Sequence, residues 1–223
     1  MNILTISDVE VGIIYSAQIR ERFKNVDLVI SCGDLPYYYL EYIVSMLNVP
    51  LYYVRGNHAV KMEYSEHSSR THPWGGLDLH RRCVRDRSGL LMAGIEGSLR
   101  YNYGPCQYSQ SQMWSLVFSL VPGLFYNKIR HGRYLDIFVT HAPPWKIHDL
   151  DDLPHQGIKA FRWLIQVFQP TYHLHGHIHV YRHDTITQTP VGRCQVINAY
   201  GYRQIEFDPP TSRPFITNKG ANS

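Results

Sequence analysis

The chain has 223 residues, 44% hydrophobic and 18% charged, with a formal net charge of +4. That length and balance allow one large domain with a buried core and exclude a disordered or strongly charged chain. No apolar run approaches the roughly 20 residues of a membrane span, and the mild positive charge permits an anionic substrate without demanding nucleic acid.

The chain opens on a strand over residues 3–7, with no basic leader that would mark a secretory signal. This strand runs into Asp8-Val9-Glu10, and a helix is expected over 13–23 after Gly12. A second strand over 27–32 is continuously apolar, as a strand buried on both faces should be, and ends at Gly33-Asp34. A helix over 37–47 and a strand over 50–54 follow, the latter ending at Gly56-Asn57-His58. This is a β-α-β-α-β opening, in which right-handed crossovers bring the carboxyl ends of the strands to one sheet edge, where α/β folds bind ligands.

Residues 59–78, rich in Ser, His and Gly and including His67 and His72, break the pattern as a long loop of the kind that is functional or mobile. Strands are expected over 79–84 and 89–95, and two helices over 110–121 and 124–130, parted by Pro122-Gly123. A strand over 134–140 ends at His141, and a helix over 157–168 stops before Pro170. Residues 171–175 form the strand before His175-Gly176-His177-Ile178-His179, and strands over 180–187, 192–198 and 203–207 close the chain. One domain over 1–208 and a loose tail over 209–223 are expected. The cysteines Cys32, Cys83, Cys106 and Cys194 show no C-x-x-C spacing and read as reduced thiols of a cytoplasmic protein.

The most informative stretch holds three of the chain's 13 histidines in five residues. In an extended segment His177 and His179 point the same way, and Gly176 lets the backbone approach what they hold. Neutral imidazoles are good transition-metal ligands. Asp8, Glu10, Asp34, Asn57, His58 and His141 stand with them at strand ends. Singly, each fits a helix cap or a turn. Together, carboxylates, imidazoles and an amide oxygen suit a two-metal hydrolytic centre.

In this order, Asp8-x-Glu10, Gly33-Asp34, Gly56-Asn57-His58, Thr140-His141 and Gly176-His177-x-His179 resemble the calcineurin-like metallophosphoesterases, and among them the small stand-alone bacterial-type members. The resemblance spans almost the whole chain. It implies a four-layer α/β/β/α sandwich of two mixed sheets and hydrolysis of phosphoesters at two divalent metals. By the same resemblance, Asp8, Glu10, Asp34 and His179 would hold the first metal. Asp34, Asn57, His141 and His177 would hold the second, with Asp34 shared. A hydroxide between the metals would attack phosphorus, and His58 would contact a phosphoryl oxygen or protonate the leaving oxygen.

Two positions depart from the family pattern. Glu10 stands where a histidine is usual, and this third carboxylate lowers the charge of the cluster by about one. The expected consequences are a slight preference for phosphodiesters and for Mn²⁺ or Fe over Zn²⁺, though Zn remains an option. Ala59 replaces the acidic residue that usually holds the imidazole of the Gly-Asn-His block, leaving Glu63, Glu66 or the substrate as a partner for His58.

Arg100, Tyr101 and Asn102, which follow a strand, are candidates to line the substrate pocket, as is His155, and backbone N–H groups beside Gln156-Gly157 are candidates for an anion. Arg81, Arg82, Arg85 and Arg87 read as a solvated strand face before they read as a nucleic-acid track, and Tyr37-Tyr38-Tyr39 as core before base stacking. The expected partner is a small phosphorylated or nucleotide substrate. A monoesterase or nucleotide pyrophosphatase on the same site, and a catalytically weak scaffold, are the alternatives.

Overall fold

The computed structural model describes residues 1–59, 62–64, 69–182 and 184–208. The apolar runs of the opening become β1 (Asn2–Ser7), β2 (Leu28–Ser31) and β3 (Leu51–Tyr53), with α1 (Ile19–Arg22) and α2 (Tyr37–Leu47) between them. Short strands follow as β4 (Glu63–Tyr64), β5 (Ser69–Arg70) and β6 (Gly76–Asp78), then β7 (Arg82–Arg85), β8 (Leu91–Ile95), β9 (Ser98–Leu99) and β10 (Gln107–Tyr108). The rest comprises α3 (Gln110–His131), β11 (Ile137–Thr140), α4 (Lys159–Phe168), β12 (Tyr172–His175), β13 (Gln188–Val191), β14 (Cys194–Asn198) and β15 (Gly201–Glu206).

Two mixed sheets carry the fold, in strand orders β15-β1-β2-β3-β6 and β13-β14-β12-β11-β8-β7. β1, β2, β3 and β6 run parallel, with β15 antiparallel at one edge. β8, β11, β12 and β14 are parallel, flanked by antiparallel β7 and β13. Among the described residues, three clusters of buried side chains hold these elements. The first packs α1 and α2 on the first sheet through Leu4, Val29, Ile19, Tyr39 and Ile43. The second interleaves both sheets through Ile3, Ile30, Val54, Met92, Val139 and Leu174. The third seats α3 and α4 on the second sheet through Val117, Leu124, Phe138, Phe161 and Val196. Among the described residues, no helix is long and apolar enough to cross a membrane.

The structure corrects four expectations. The helix expected over 13–23 shrinks to Ile19–Arg22. The residues that this stretch buries, Ile14, Ile19 and Phe23, begin with a spacing of five that no helical face supports, and turns at Val11 and Ile13 carry the chain to Ile19. The loop over 59–78 instead contains the paired β4 and β5 and, in β6, the last strand of the first sheet; His67 lies outside the described residues, as does the tail 209–223. β7 begins at Arg82 rather than 79, because the chain first crosses at Leu79 from the first sheet to the second. No strand forms over the described part of 180–187, where Arg182 and Asp184 pair in solvent and the sheet edge is taken by the β13–β14 hairpin.

The fifth difference concerns Pro122. One helix, α3, runs unbroken past it, started by a Ser109–Gln112 capping box and ended by Gly132 at φ 77°. The buried positions Met113, Val117, Leu120, Leu124 and Asn127 keep a spacing of four and three through the proline. Burying each apolar side chain contributes about 1.5–3 kcal/mol, which together outweighs a proline penalty of about 3 kcal/mol. Gly123 brings the helix onto Cys83, since a Cβ there would stand 2.8 Å from the Cys83 sulfur. Pro122→Ala should therefore stabilise the protein by about 1–3 kcal/mol in urea unfolding. Gly123→Ala should give no such gain despite its better helix propensity.

Candidate metal centre

Five strand ends meet above the two sheets. β1 ends at Ser7 before Asp8, β2 leads into Gly33-Asp34, β3 into Gly56-Asn57-His58, β11 into His141, and β12 into Gly176-His177. Asp8, Asp34 and His177 have φ of 69°, 53° and 67°. Side chains rarely adopt this left-handed region, which costs about 1–3 kcal/mol per residue and clusters at functional sites. Glycines make the approach possible. A Cβ on Gly33 would lie 2.7 Å from both Gly56 N and His141 Nδ1, one on Gly56 would collide with the Asp34 carboxylate, and one on Gly176 with the Ser7 hydroxyl.

His141 is the hub and is fully buried. Its Nδ1–H donates to the Cys32 carbonyl at 2.8 Å. Its Nε2 faces Asp34 Oδ2 at 3.0 Å, Asn57 Oδ1 at 3.0 Å and His177 Nδ1 at 3.1 Å. The other nitrogen of His177, Nε2, donates to the Pro154 carbonyl at 2.8 Å. Each imidazole is thus oriented by a backbone carbonyl and turns its remaining nitrogen to a common point, as metal-binding histidines do. The donor atoms of Asp34, His141 and His177 all lie within 4.8 Å of one another. Ligand atoms about 2.1 Å from one octahedral ion stand about 3.0 Å apart along an edge, so the three contacts of His141 Nε2 have the spacing of a coordination sphere. The mixed N/O set suits a divalent transition metal.

Electrostatics agree with that reading. Burial works to raise the Asp34 carboxyl, but His141 and the hydrogen bonds from His141 and the His58 N–H bring it down to about 2. Burial works to lower His141, yet Asp34, with help from Asp8 and the Cys32 carbonyl, pushes it up to about 9. Burial and the neighbouring His141 bring His177 down to about 3. Asp8 is raised by burial against the pull of His141. A proton on His141 therefore supplies the positive charge that the buried carboxylates need, beside a neutral His177 ready to act as a ligand.

The remaining expected site residues divide. Asp8 accepts the His177 N–H on both oxygens, at 3.0 and 3.1 Å, and so stands at the rim of the same cluster. Asp34 Oδ1 accepts the His58 N–H at 2.9 Å, leaving the His58 side chain exposed at the mouth. Glu10 and His179 are not brought to the cluster. Glu10 accepts a 2.6 Å hydrogen bond from the Tyr38 hydroxyl. His179 Nδ1 is 2.8 Å from the Tyr181 hydroxyl, with its ring 4.9 Å from that of Tyr200. Glu63 does not reach His58; its carboxylate accepts the Tyr37 and Tyr38 N–H groups at the start of α2. Glu66 lies outside the described residues.

His155 comes close, its ring 5.2 Å from that of His177, with Nδ1 on Asp152. The N–H groups expected to await an anion there are taken, Gly157 by Asp149 and Lys159 by Gln110. The Arg100 guanidinium is taken up by the Gln107 carbonyl and Gln112. Asn102 turns its oxygen to Gly104 N and Gln107. Tyr37 and Tyr39 are core, and Arg81, Arg82, Arg85 and Arg87 are exposed. Three residues support the ligands in ways not read from the sequence. The Tyr101 hydroxyl accepts from Asn57 Nδ2 at 3.0 Å. The Pro154 carbonyl orients His177. Buried Glu96 holds Arg55 at 2.7 Å beneath the Gly56-Asn57-His58 turn. Tyr101 is expected from the sequence only as a pocket-lining residue, and it does line the cavity beside Asn57; its hold on Asn57 carries no sequence signal, nor does a carbonyl oxygen.

A family model described as calcineurin-like phosphoesterase matches residues 1–181. The chain belongs to that family. It is thus a phosphoesterase, a hydrolase whose family acts on phosphoesters with divalent metal ions. One solved structure superposes with a TM-score of 0.61 at 12% identity, covering 92% of this chain and 94% of its own. TT1561 of Thermus thermophilus does so with a TM-score of 0.58 at 17% identity, covering 90% of this chain and 89% of its own. These likenesses show the fold of this phosphoesterase. No curated protein matches it.

Two outcomes follow for the phosphoesterase. His141 must lose its proton to bind a metal, so loading should release protons below the His141 pKa of about 9. Affinity should rise about tenfold per pH unit up to that point; calorimetry in buffers of different ionisation enthalpy reads both. The same shift makes the metal-free fold draw stability from His141 in full below its ordinary value of 6.5, and lose it as pH rises through about 9. Tyr101→Phe removes the partner that fixes the Asn57 amide and should weaken metal binding about 10-fold or more in the same titration.

Proposed function

We propose that this phosphoesterase uses two divalent ions and cleaves phosphodiesters in preference to monoesters. The observation that carries the reading is the convergence of Asp34 Oδ2, Asn57 Oδ1 and His177 Nδ1 on His141 Nε2 at 3.0–3.1 Å. These four residues would hold one ion. Asp8, Asp34, Glu10 and His179 would hold the other, once Glu10 leaves the Tyr38 hydroxyl and His179 takes part through the nitrogen not facing Tyr181. When bound, such ions supply Lewis-acid charge at the phosphate and lower the pKa of a water that attacks phosphorus.

The chain's own residues do the rest. Asp34 stands between the two groups of ligands and draws them together. His177 stays neutral, and Asp8 fixes its backbone N–H. His58, exposed at the mouth and anchored by its N–H to Asp34, hands a proton to the leaving oxygen. Glu10 adds a carboxylate where the family has an imidazole, which makes the centre less attractive to a monoester dianion and favours Mn²⁺ or Fe. The substrate is a small phosphorylated or nucleotide molecule. The arginines of edge strand β7 line neither of the cavities beside His58, so nucleic acid is not the favoured substrate. The four free cysteines suit a cytoplasmic protein.

Metal analysis of the purified protein, paired with hydrolysis of bis-p-nitrophenyl phosphate and p-nitrophenyl phosphate in Mn²⁺, tests the reading. It expects about two metals per chain and faster diester cleavage. Glu10→His should raise the monoester rate relative to the diester rate or shift metal preference. Monoester preference in the native chain would remove the charge argument and keep the hydrolase. No bound metal and no activity, unchanged by His177→Ala, would leave a scaffold on this fold.

A further inference from the structure

A second feature opens from the same mouth. Beside Asn57 and His58 lies a cleft of about 750 Å³ whose walls include Tyr64, Tyr101, Tyr103 and Gln107. That volume is in the range of sites for nucleoside-sized ligands. Two of its tyrosines present their rings to solvent, Tyr64 being 78% exposed and Tyr103 fully so. Their aromatic faces have nothing stacked on them from the described residues. The loop that carries Tyr103 is nonetheless built: the Gln107 side chain accepts the N–H groups of Tyr101 and Asn102 and donates to Asn102 Oδ1, which also accepts the Gly104 N–H. The Tyr101 oxygen accepts from Asn57, so its own proton is left to donate into the cleft.

The charge of the walls narrows the occupant. Among the described lining residues His58 is the only group that can carry a positive charge, and none is a carboxylate. Arg100, the nearest arginine in sequence, is turned to Gln107 O and Gln112, and Arg55 is paired with Glu96. Among the described lining residues a second phosphate finds none of the arginine or lysine partners that such groups take. A flat, uncharged ring would instead find two exposed aromatic faces and hydrogen-bonding amide and hydroxyl groups.

We propose that this cleft is the specificity site for the organic part of the substrate, and that it selects a nucleoside or similar aromatic group joined to a single phosphate, held by stacking on Tyr103 and Tyr64. The assignment rests on the phosphoesterase reading for its place beside the reacting phosphate. It goes further by choosing a nucleoside phosphodiester over a pyrophosphate or an aliphatic ester.

Two substrates with one leaving group test it: p-nitrophenyl thymidine 5′-phosphate and methyl p-nitrophenyl phosphate, with Mn²⁺. The chemistry at phosphorus is alike, so a difference reports the nucleoside. The thymidine ester should show a kcat/KM about tenfold or more above the methyl ester, mostly in KM. Tyr103→Ala should lower that ratio about tenfold, since stacking on one aromatic face is worth about that much. Tyr103→Phe, which keeps the face, should restore it, and Tyr64→Ala should lower it in the same direction. Tyr103 makes no core contact, so its loss should leave the fold intact by thermal unfolding. Equal kcat/KM for the two esters, or a ratio indifferent to both tyrosines, overturns the assignment while the phosphoesterase stands. If neither ester is cleaved, the phosphoesterase reading falls, and calorimetry with thymidine 5′-phosphate against methyl phosphate decides the cleft. Tighter binding of the nucleotide, lost in Tyr103→Ala, supports it; equal binding overturns it.

Discussion

A buried carboxylate against a buried imidazole, Asp34 Oδ2 to His141 Nε2 at 3.0 Å, is the contact on which the rest of the site depends. Neither group tolerates burial alone: the carboxylate needs a positive charge, and the imidazole needs a negative one to keep its proton. Their mutual dependence fixes where positive charge must sit in this protein. In the metal-free state a proton on His141 fills that place. A divalent ion fills it better, because Asn57 and His177 already bring further lone pairs to the same point. The site is thus organised around a charge before any ligand arrives.

Holding that point imposes conditions on the backbone. Five strands from two sheets must end within a few ångströms of one another, and the turn after several of them must be abrupt. Asp8, Asp34 and His177 therefore sit at positive φ, and Gly33, Gly56 and Gly176 stand where a Cβ would strike a neighbour. Such strain persists because the three core clusters over-determine the positions of the strands beneath. The carbonyls of Cys32 and Pro154 then fix which nitrogen of each histidine faces inward.

The residues expected from the sequence to hold metal differ in readiness. Asp34, Asn57, His141 and His177 are assembled and interlocked. Glu10 and His179 stand at the exposed rim, each facing a tyrosine hydroxyl. The contrast follows burial. A polar group in the interior must have its partners in place, whereas one at the surface exchanges partners with water, tyrosine or an ion at little cost.

What the sequence by itself determined is the part set by local chemistry. The apolar runs that became β1, β2, β3, β8, β11 and β12 were legible, as was α2, and the order of the five strand-end blocks was enough to recognise the family. Asp34, Asn57, His141 and His177 were legible as ligand types because each follows a buried strand. Other features escaped because they belong to no short window. The continuity of α3 past Pro122 comes from a stripe packed on the second sheet, and the brevity of α1 from side chains that reach the core by turns. Pro154 supports His177 through a carbonyl oxygen, which every residue has, and Glu63 was claimed by the start of α2 rather than by His58. The tyrosine cleft joins residues from β4 and from the loop before β10, far apart in the chain. Tertiary structure decided these because each is a competition between partners distant in sequence, and only packing brings the competitors together.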